Sequence, residues 1–372
     1  YGFDGMRQGH WKAKTLEQAI QSRFEVNHAQ LLSSGTAAVS LALASAGVGA
    51  GDEVIMPSFT FVASFEAILM LGATPVVVDI DDTLTLDIDS VKAAISPKTK
   101  AIMAVHMCGS MADLDALKHI SDTHNLFLIE DACQAIGGTY KGKALGTIGD
   151  LGCFSFDFVK TVTCGEGGVV ITNNKEFYTH SDQFSDHGHD HLGTDRGAET
   201  HPILGYNFRI SELNAAVGVA QFGRLDEFLA IQKKYYTIIR NELSSIEGIT
   251  FRSVPEGGEE SYAFLNFFLD DLEIARNVHQ AFKTNGIDVC FHYYDNNWHY
   301  IRKWEHLTSQ KSLFPLSQEV KDGLAYLTNK TFEKSDHYIG RNLSCLIKLS
   351  WTEEDVKQRA QTMAKLIREA TA

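Results

Sequence analysis

The chain has 372 residues, of which 44% are hydrophobic, 22% charged and 10% aromatic, a globular composition that excludes collagen-like, low-complexity and disordered chains. Its net charge of −14 and its lack of any basic run speak against a nucleic-acid-binding protein. No stretch of about 18 continuous apolar residues is present, so neither a transmembrane helix nor a membrane partner is expected.

The start of the chain and its cysteines bear on the cellular compartment. The first residue is Tyr1 rather than Met, so we expect a further N-terminal segment to precede it, and no secretory signal is visible. The six cysteines are scattered without a CxxC pair. Their even number leaves pairing open, but a chain of this length needs no disulfide to hold its core. We therefore expect reduced thiols in a cytoplasmic protein.

Between residues 30 and 175, short apolar runs alternate with helix-sized segments. Runs that are apolar on both sides and rich in β-branched residues are typical of strands buried on both faces. The alternation predicts an α/β fold with a mainly parallel sheet flanked by helices. The predicted strands are Glu53–Met56, Pro75–Ile80, Ala101–His106, Leu126–Glu130, Gly152–Phe156 and Gly168–Thr172, and the predicted helices are Ala63–Leu71, Ile88–Ala94 and Leu114–His124.

After residue 175 the pattern changes. Residues 180–201 are polar and rich in histidine, and a long helical pattern then runs from about Ser211 to Leu243. We predict two domains: a large α/β domain over residues 1–230, and a smaller α+β domain over residues 231–372. The second domain contains a predicted strand, Tyr262–Leu269, and predicted helices, Leu272–Thr284 and Glu353–Glu369.

Reactive side chains lie where the predicted strands end. His106 ends one strand, Asp131 follows the next, and Ser155 and Lys160 lie at and beyond a third. In an open parallel sheet, ligands bind beyond the carboxyl ends of the strands. The segment 33–38 (SSGTAA) opens a small-residue helix, whose N–H groups and dipole favour an anion. One edge of the sheet is therefore predicted to collect a phosphate site, a carboxylate, a lysine and a histidine.

Each of these signals has an ordinary structural explanation when taken alone. Thr36 and Asp131 stand where helix caps are common, and Phe61 is of a type usually found in a core. Lys160 is one of 33 basic residues, most of which are expected to be solvated. Together the residues match pyridoxal phosphate (PLP), which needs an anion site, an acidic partner for its ring nitrogen, a stacking aromatic ring and an amine nucleophile.

Six motifs in order resemble the DegT/DnrJ/EryC1/StrS group of PLP-dependent sugar aminotransferases. They are SSGTAA (33–38), GDEVIMPSFTFVAS (51–64), PKTKAIMAVHMCG (97–109), EDACQAIGGTYKGKALGTIGD (130–150), CFSFDFVKTVTCGEGG (153–168) and GYNFRISELNAA (205–216). The resemblance implies the fold type I, aspartate-aminotransferase-like fold. Relatives that perform dehydration have histidine where this chain has Lys160, so the lysine favours transamination.

The resemblance also implies roles for residues. Lys160 would attach the cofactor covalently and move a proton, while Asp131 would pair with the protonated ring nitrogen. Phe61 would stack on the ring, and Gln134 would contact its phenolic oxygen. The phosphate would be held by Gly35, Thr36, Ala37 and Ser155, with Asn207 from the other subunit. The last role implies a homodimer with a shared active site.

The His-rich segment 185–191, with Arg196, Glu199 and His201 after it, has three interpretations. The family has a substrate-facing or interface loop with Asp-His-Gly here, which favours contact with substrate or with the other subunit. A solvated loop and a metal site are the alternatives, since imidazole and carboxylate are metal ligands. We predict no metal.

This loop is most similar to the branch of the family that makes 8-amino-3,8-dideoxy-manno-octulosonate for lipopolysaccharide, and so are the segments 106–113 (HMCGSMAD), 156–168 (FDFVKTVTCGEGG) and 296–300 (NNWHY). That resemblance implies an acidic sugar with an 8-aldehyde as acceptor and L-glutamate as donor. A nucleotide-linked 3- or 4-keto-sugar is the alternative acceptor. A PLP-binding regulator without turnover and a metal hydrolase are alternatives of other classes. Candidate contacts with sugar hydroxyls or carboxylate are His187, His189, Arg196, Arg209 and His299.

One departure from the family lies beside the lysine. Where many relatives have a His-Pro-Thr type of sequence, this chain has Asp157-Phe158-Val159 before Lys160. The change places a carboxylate near the lysine and leaves the nucleophile intact. We expect it to alter contacts with the substrate.

Overall fold

In the computed structural model, which describes residues 11–192 and 195–371, fourteen strands form three sheets. The strands are β1 (His28–Leu32), β2 (Glu53–Pro57), β3 (Thr74–Val78), β4 (Thr99–Val105), β5 (Phe127–Asp131), β6 (Thr139–Tyr140), β7 (Lys143–Ala144), β8 (Leu151–Ser155), β9 (Gly168–Thr172), β10 (Thr250–Phe251), β11 (Gly258–Glu259), β12 (Phe264–Phe268), β13 (Cys290–Phe291) and β14 (Asn342–Leu346).

Thirteen helices accompany the strands in the described residues. They are α1 (Lys12–Phe24), α2 (Gly35–Ser45), α3 (Val62–Met70), α4 (Ile88–Ala94), α5 (Leu114–His124), α6 (Lys175–Ser185), α7 (Glu212–Phe222), α8 (Leu225–Leu243), α9 (Leu272–Thr284), α10 (Glu305–Thr308), α11 (Gln318–Asn329), α12 (Glu333–Arg341) and α13 (Glu353–Thr371). None of the described helices is long and apolar enough to cross a bilayer.

The central sheet has the strand order β1-β9-β8-β5-β4-β2-β3. Six of its strands run in the same direction, and β9 is antiparallel to both of its neighbours. The predicted mainly parallel sheet is therefore confirmed. Strands β8 and β9 are buried along their whole length, as expected for runs covered on both faces.

Helices cover both faces of this sheet. Successive residues of β2 point to opposite sides: Val54 and Met56 join one hydrophobic cluster, and Ile55 joins another. The first cluster contains residues of α2 and α3, and the second contains residues of α1 and α5. This three-layer arrangement confirms the predicted α/β fold class.

The second sheet, β10-β12-β14-β13, is antiparallel and lies in the C-terminal part of the chain. It packs with α8, α9 and α13 in a third hydrophobic cluster. The predicted domain division at residue 230 falls inside α8. The start of that helix (Leu225, Phe228) packs in a cluster of the central sheet, whereas Tyr236, Ile239 and Leu243 pack in the third cluster. The division into residues 1–230 and 231–372 stays a prediction.

Two expectations from the sequence are wrong. The single helical stretch from Ser211 to Leu243 is two helices, because Arg224 leaves the helical conformation (φ −102°, ψ 5°) after Gly223. The cysteines are not all reduced: Cys290 and Cys345 pair across β13 and β14, with Cα atoms 4.1 Å apart, and form a disulfide. They are 55 residues apart in sequence, so their proximity depends on the sheet.

Candidate active site

A cavity of about 830 Å³ lies beyond the carboxyl ends of β4, β5 and β8. Its walls come from both sheets, because residues of β12 and β14 and of the segment 289–299 line it as well. The cavity brings together eight of the predicted site residues: Gly35, Thr36, Phe61, Asp131, Gln134, Ser155, Lys160 and His299.

One end of the cavity is formed by the start of α2. Ser34 caps this helix, and its Oγ accepts a hydrogen bond from the N–H of Ala37 at 3.1 Å. A Cβ atom on Gly35 would lie only 2.7 Å from the Cβ of Ser155, so glycine allows β8 to approach the helix start. The first N–H groups of a helix attract anions. Gly35, Thr36 and Ser155 line the cavity with N–H and hydroxyl groups of the kind that suit an anion, and we call these three residues the anion cradle; Ala37 is buried and does not line the cavity.

Asp131 is the last residue of β5 and is 5% exposed. Its Oδ2 accepts a hydrogen bond from Ser64 Oγ at 2.7 Å, and its Oδ1 accepts one from the N–H of Cys133 at 3.2 Å. Thr60 Oγ1 in turn donates to Ser64 Oγ at 2.8 Å. This chain of hydroxyls fixes the carboxylate, which is suited to receive a cationic N–H from a ligand.

Gln134 lies on the same wall as Asp131. Its Oε1 accepts a hydrogen bond from the N–H of Cys108 at 3.0 Å. Because the amide oxygen is engaged, the amide NH₂ is left as a donor toward the cavity.

Lys160 lies on a turn that follows β8, where its backbone N–H donates a hydrogen bond to the backbone carbonyl of Asp157 at 3.0 Å. It is half-buried, and among the described residues its amino group has no hydrogen-bond or ion-pair partner. The Asp157 carboxylate also lines the cavity, and its Oδ1 is buried and has no hydrogen-bond partner in the described part of the chain. Most buried polar atoms are paired, so the unpaired Asp157 Oδ1 is an exception, and the unpaired amino group of Lys160 is free to react with a ligand.

His106 and Glu130 form a buried pair next to Asp131. Their Nε2 and Oε2 atoms are 2.8 Å apart, and the Glu130 carboxylate also accepts the N–H groups of Gly146, Ile148 and Gly149 at 2.6–2.7 Å. Burial raises the pKa of Glu130, but the hydrogen bond from His106 and the backbone N–H groups bring it below its ordinary value. The pair ties the loop 146–149 to the strand that carries Asp131. Sequence analysis missed Glu130, although it is the neighbour of Asp131 in its motif.

An aromatic wall faces Lys160. Phe61 is 40% exposed, so it borders the cavity rather than filling the core. Its ring lies 5.6 Å from that of His299, which in turn stacks on Trp298 at 5.5 Å. Burial and the nearby charge of Lys160 lower the pKa of His299 to about 3. The imidazole is therefore neutral at physiological pH.

The other predicted contacts do not line the cavity of the chain that carries them: Ala37, His187, His189, Arg196, Asn207 and Arg209. Arg196 donates two hydrogen bonds to the carboxylate of Asp186, at 2.7 and 2.9 Å, and Arg209 forms an ion pair with the same carboxylate. Asn207 forms a β-bridge with Asp186. The described residues of the segment 186–209 are therefore organised around one carboxylate.

Histidines add to this network. His191 lies between Asp182 (2.7 Å) and Asp186 (3.1 Å), and the Nδ1 of His189 lies 2.9 Å from Glu199. His187 is exposed. Over the part of the chain that the structure describes, no three His, Cys, Asp or Glu side chains are grouped as a metal site would require.

Comparison with known proteins gives consistent relatives. The model of the DegT/DnrJ/EryC1/StrS aminotransferase family matches residues 5–334. The GDP-perosamine synthase of Vibrio cholerae is 37% identical over 306 residues, which cover 81% of each chain. The 3-amino-5-hydroxybenzoate synthase of Amycolatopsis mediterranei is 39% identical over 261 residues, 68% of this chain and 66% of that protein.

Solved structures of aminotransferases share the fold over nearly the whole chain. An aminotransferase from Psychrobacter cryohalolentis has a TM-score of 0.84 at 26% identity, covering 97% of this chain and 92% of that one. The PLP form of a putative sugar aminotransferase from Streptococcus pneumoniae has a TM-score of 0.81 at 26% identity, covering 99% and 95%.

Proposed function

Because the chain belongs to the DegT/DnrJ/EryC1/StrS aminotransferase family, we propose that it aminates the aldehyde of the 8-oxo form of 3-deoxy-manno-octulosonate, with L-glutamate as amino donor. PLP-dependent transfer of an amino group to a sugar is the activity that this membership establishes. The choice of sugar rests on the resemblance of the segments 106–113, 156–168, 185–191 and 296–300. The product would be the 8-amino sugar of a lipopolysaccharide, made in the cytoplasm.

The observation that carries the proposal is that Lys160, Asp131 and the anion cradle border one cavity. PLP, when bound, supplies an aldehyde and an electron sink through which an amino group passes between donor and acceptor. The described residues fit this group. Gly35 lets Ser155 approach the start of α2 closely, so that the N–H groups of the helix start and the Ser155 hydroxyl would hold the phosphate from the same side of the cavity.

The ring contacts follow from the donor and acceptor atoms on the walls. Asp131 is a buried acceptor and would hold a proton on the ring nitrogen through a charge-assisted hydrogen bond. The amide NH₂ of Gln134 would donate to the phenolic oxygen. Phe61 offers its exposed face for stacking.

Lys160 would hold the cofactor at rest and afterwards carry a proton to or from the substrate carbon that bears the nitrogen. A lysine does this as a neutral amine, which proximity to a cationic ring nitrogen favours. The lack of a partner for its amino group among the described residues supports this role.

The active site is completed, in this proposal, by a second copy of the chain. Large apolar side chains are exposed in the sequence near Asn207, namely Leu204 (93%), Tyr206 (62%) and Leu213 (81%), and on the turn before Lys160, namely Phe158 (73%). Apolar side chains exposed together mark an interaction surface. In a homodimer formed through this surface, Asn207 of each subunit would reach the phosphate site of the other.

A nucleotide-linked 3- or 4-keto-sugar is the second candidate acceptor. It is favoured by the GDP-perosamine synthase relative, whose name refers to a nucleotide-linked amino sugar. The other named relative, a 3-amino-5-hydroxybenzoate synthase, has no nucleotide in its name. The relatives therefore support amination of a cyclic substrate without deciding between the two candidates.

Two half-reactions test the function. Adding L-glutamate to the PLP form should convert it to the pyridoxamine form, which an inert PLP-binding regulator would not do. The pyridoxamine form is then mixed with the 8-oxo octulosonate and, separately, with nucleotide-linked keto-sugars. Return of the PLP form only with the nucleotide-linked sugars would contradict the proposed acceptor.

A further inference from the structure

We propose that Arg252, from the C-terminal part of the chain, is a positioning residue for the cofactor: it holds the turn Met107–Gly109 in the conformation in which this turn aligns Gln134. Arg252 itself does not line the cavity. The inference rests on the proposed function, because it concerns the contact of Gln134 with the phenolic oxygen of PLP.

The turn Met107–Gly109 follows β4, at the edge of the sheet where the cavity lies. Within it, Cys108 has a φ of 53°, in the left-handed region that residues with a side chain rarely adopt. The backbone N–H of Cys108 donates to Gln134 Oε1 at 3.0 Å. Because an N–H bonds only to the oxygen end of an amide, this contact decides which end of Gln134 is left for a ligand. The Nε2 has no hydrogen-bond partner among the described residues and is not fully buried.

Arg252 follows β10 of the second sheet and reaches across to this turn of the central sheet. Its side chain is 1% exposed. Its Nη1 donates to the carbonyl of Met107 at 2.9 Å, and its Nη2 donates to the carbonyl of Cys108 at 2.6 Å. Two hydrogen bonds from one planar guanidinium fix the orientation of two successive peptide groups. Arg252 therefore holds the left-handed conformation of Cys108, and with it the direction of the N–H that Gln134 accepts.

The guanidinium group is fixed by buried partners in turn. Its Nε pairs with the carboxylate of Glu260, whose Oε2 accepts a hydrogen bond from the hydroxyl of Tyr236 at 2.8 Å. A buried ion pair adds little net stability compared with apolar side chains, but it can fix a geometry. The N–H of Ser261 donates to the carbonyl of Gly109 at 2.9 Å. All three carbonyls of the turn thus accept hydrogen bonds from the C-terminal part of the chain.

A second arginine has partners of the same kind but does not contact the turn. Arg302 forms a half-buried ion pair with Asp336, which also accepts a hydrogen bond from the hydroxyl of Tyr300 at 2.5 Å. Neither member of this pair lines the cavity. The variant Arg302→Met/Asp336→Asn is therefore the matched control for the general effect of removing an arginine–carboxylate pair.

The absorbance of the lysine-bound cofactor gives a readout that needs no substrate. A hydrogen bond from Gln134 to the phenolic oxygen stabilises negative charge there, and so lowers the pH at which the lysine-bound cofactor loses its proton. Loss of one hydrogen bond of ordinary strength should raise this transition by about 0.5–1 pH unit.

The experiment follows this absorbance against pH in the PLP-loaded wild type, in Gln134→Met, in Arg252→Met/Glu260→Gln and in the combination of the three substitutions. Replacing Arg252 and Glu260 together leaves no unpaired buried charge and keeps an acceptor for Tyr236. The single variant and the double variant should each raise the transition by about 0.5–1 pH unit. The triple variant should match Gln134→Met, because Arg252 acts through Gln134. The control variant should keep the wild-type transition.

Arg252→Lys covers the case in which the double variant does not fold. It keeps the positive charge beside Glu260, but an ammonium group lacks the planar fork that serves two successive carbonyls, so we expect the same upward shift. An unchanged transition in the Arg252 variants that fold would overturn the proposal. A shift in the triple variant equal to the sum of the separate shifts would overturn it as well, and so would an equal rise in the control. An unchanged transition in Gln134→Met would remove its premise.

Failure of the proposed function gives a different result. A wild-type enzyme that shows the absorbance transition but aminates no sugar refutes that function, while the variants still decide the role of Arg252.

Discussion

The substitution Asp186→Asn tests whether the segment 186–209 is held by one carboxylate. Burial raises the pKa of Asp186, but hydrogen bonds from Arg196 and His191 and the charge of Arg209 more than offset this and lower the pKa from 3.8 to about 2. A shift of this size corresponds to at most ~2.5 kcal/mol of stability at neutral pH, and solvent screening reduces it to ~1–2 kcal/mol. For a chain of this length that unfolds as one unit, the expected fall in Tm is about 1–3 °C.

The pH dependence of unfolding gives the prediction its sign. The lowered pKa of Asp186 gives stability that is fully present above pH 3.8 and is lost as the pH falls through about 2. The hydrogen bond to Asp182, aided by Asp186 and opposed by burial, raises the pKa of His191 from 6.5 to about 9. Its contribution is fully present below pH 6.5 and is lost as the pH rises through about 9. The wild type should therefore be less stable at pH 9.5 than at pH 6.5.

Thermal unfolding of Asp186→Asn and of a control, Asp190→Asn, checks these expectations at pH 6.5 and 9.5. The control removes the same charge, but Asp190 accepts hydrogen bonds only from Thr200 and the N–H of Leu192, and we find no ion pair to it in the described residues. Equal losses of Tm in the two variants would refute a special role for Asp186. A His191→Gln variant that keeps the wild-type decrease between the two pH values would refute the assignment to His191.

Three further substitutions concern the cavity. Lys160→Ala should abolish both half-reactions and the absorbance of the lysine-bound cofactor, and retained transamination would remove Lys160 from its proposed role. Asp131→Asn should lower kcat about 100-fold or more, as expected on losing a preorganised charge, whereas a near-normal rate would exclude pairing with the ring nitrogen. Gly35→Ala should weaken PLP binding and cost ~1–3 kcal/mol of stability, because the added methyl group overpacks against Ser155. Cofactor titration measures the first effect and unfolding measures the second. An unchanged affinity for PLP would contradict the anion cradle.

Local signals explain where the sequence predicted the fold well. The helices Ile88–Ala94, Leu114–His124 and Leu272–Thr284 match α4, α5 and α9 to the residue. Each begins after an aspartate, Asp87, Asp113 or Asp271, whose side chain caps the first turn. Such a cap depends on neighbours in sequence and is therefore visible without the structure.

The missed features depend on distant partners. Strand β1 was not predicted, because its five residues include polar His28 and Gln30 and it is fixed by pairing with β9, some 140 residues later. The Cys290–Cys345 disulfide likewise depends on the register of β13 and β14. Within the site, Asp131 and Lys160 could be predicted because they follow strands of the parallel sheet. The hydrogen bond from Ser64 to Asp131 could not, because it depends on how α3 packs.

The charges around the cavity bear on how an acidic sugar could be bound. Among the described lining residues, three carboxylates, Asp131, Asp157 and Glu166, face two lysines, Lys160 and Lys348. Lys348 is already paired with Asp288, and Lys160 is assigned to the cofactor in our proposal.

One chain therefore supplies little positive charge for a substrate carboxylate. The Asp186 network holds three cations, Arg196, Arg209 and protonated His191, against the carboxylates of Asp182 and Asp186, and Glu199 and Asp190 also act on Arg196 and His191. Because the carboxylate of Asp186 fixes the two guanidinium groups in advance, their remaining N–H groups could bind a carboxylate without further ordering. An acidic acceptor thus requires the second subunit to bring this network to the cavity, so that homodimer formation and the choice of an acidic sugar depend on each other. A monomeric variant that kept full kcat/KM for the acidic sugar would show that this sugar is bound without the second subunit, and it would contradict the proposed shared active site.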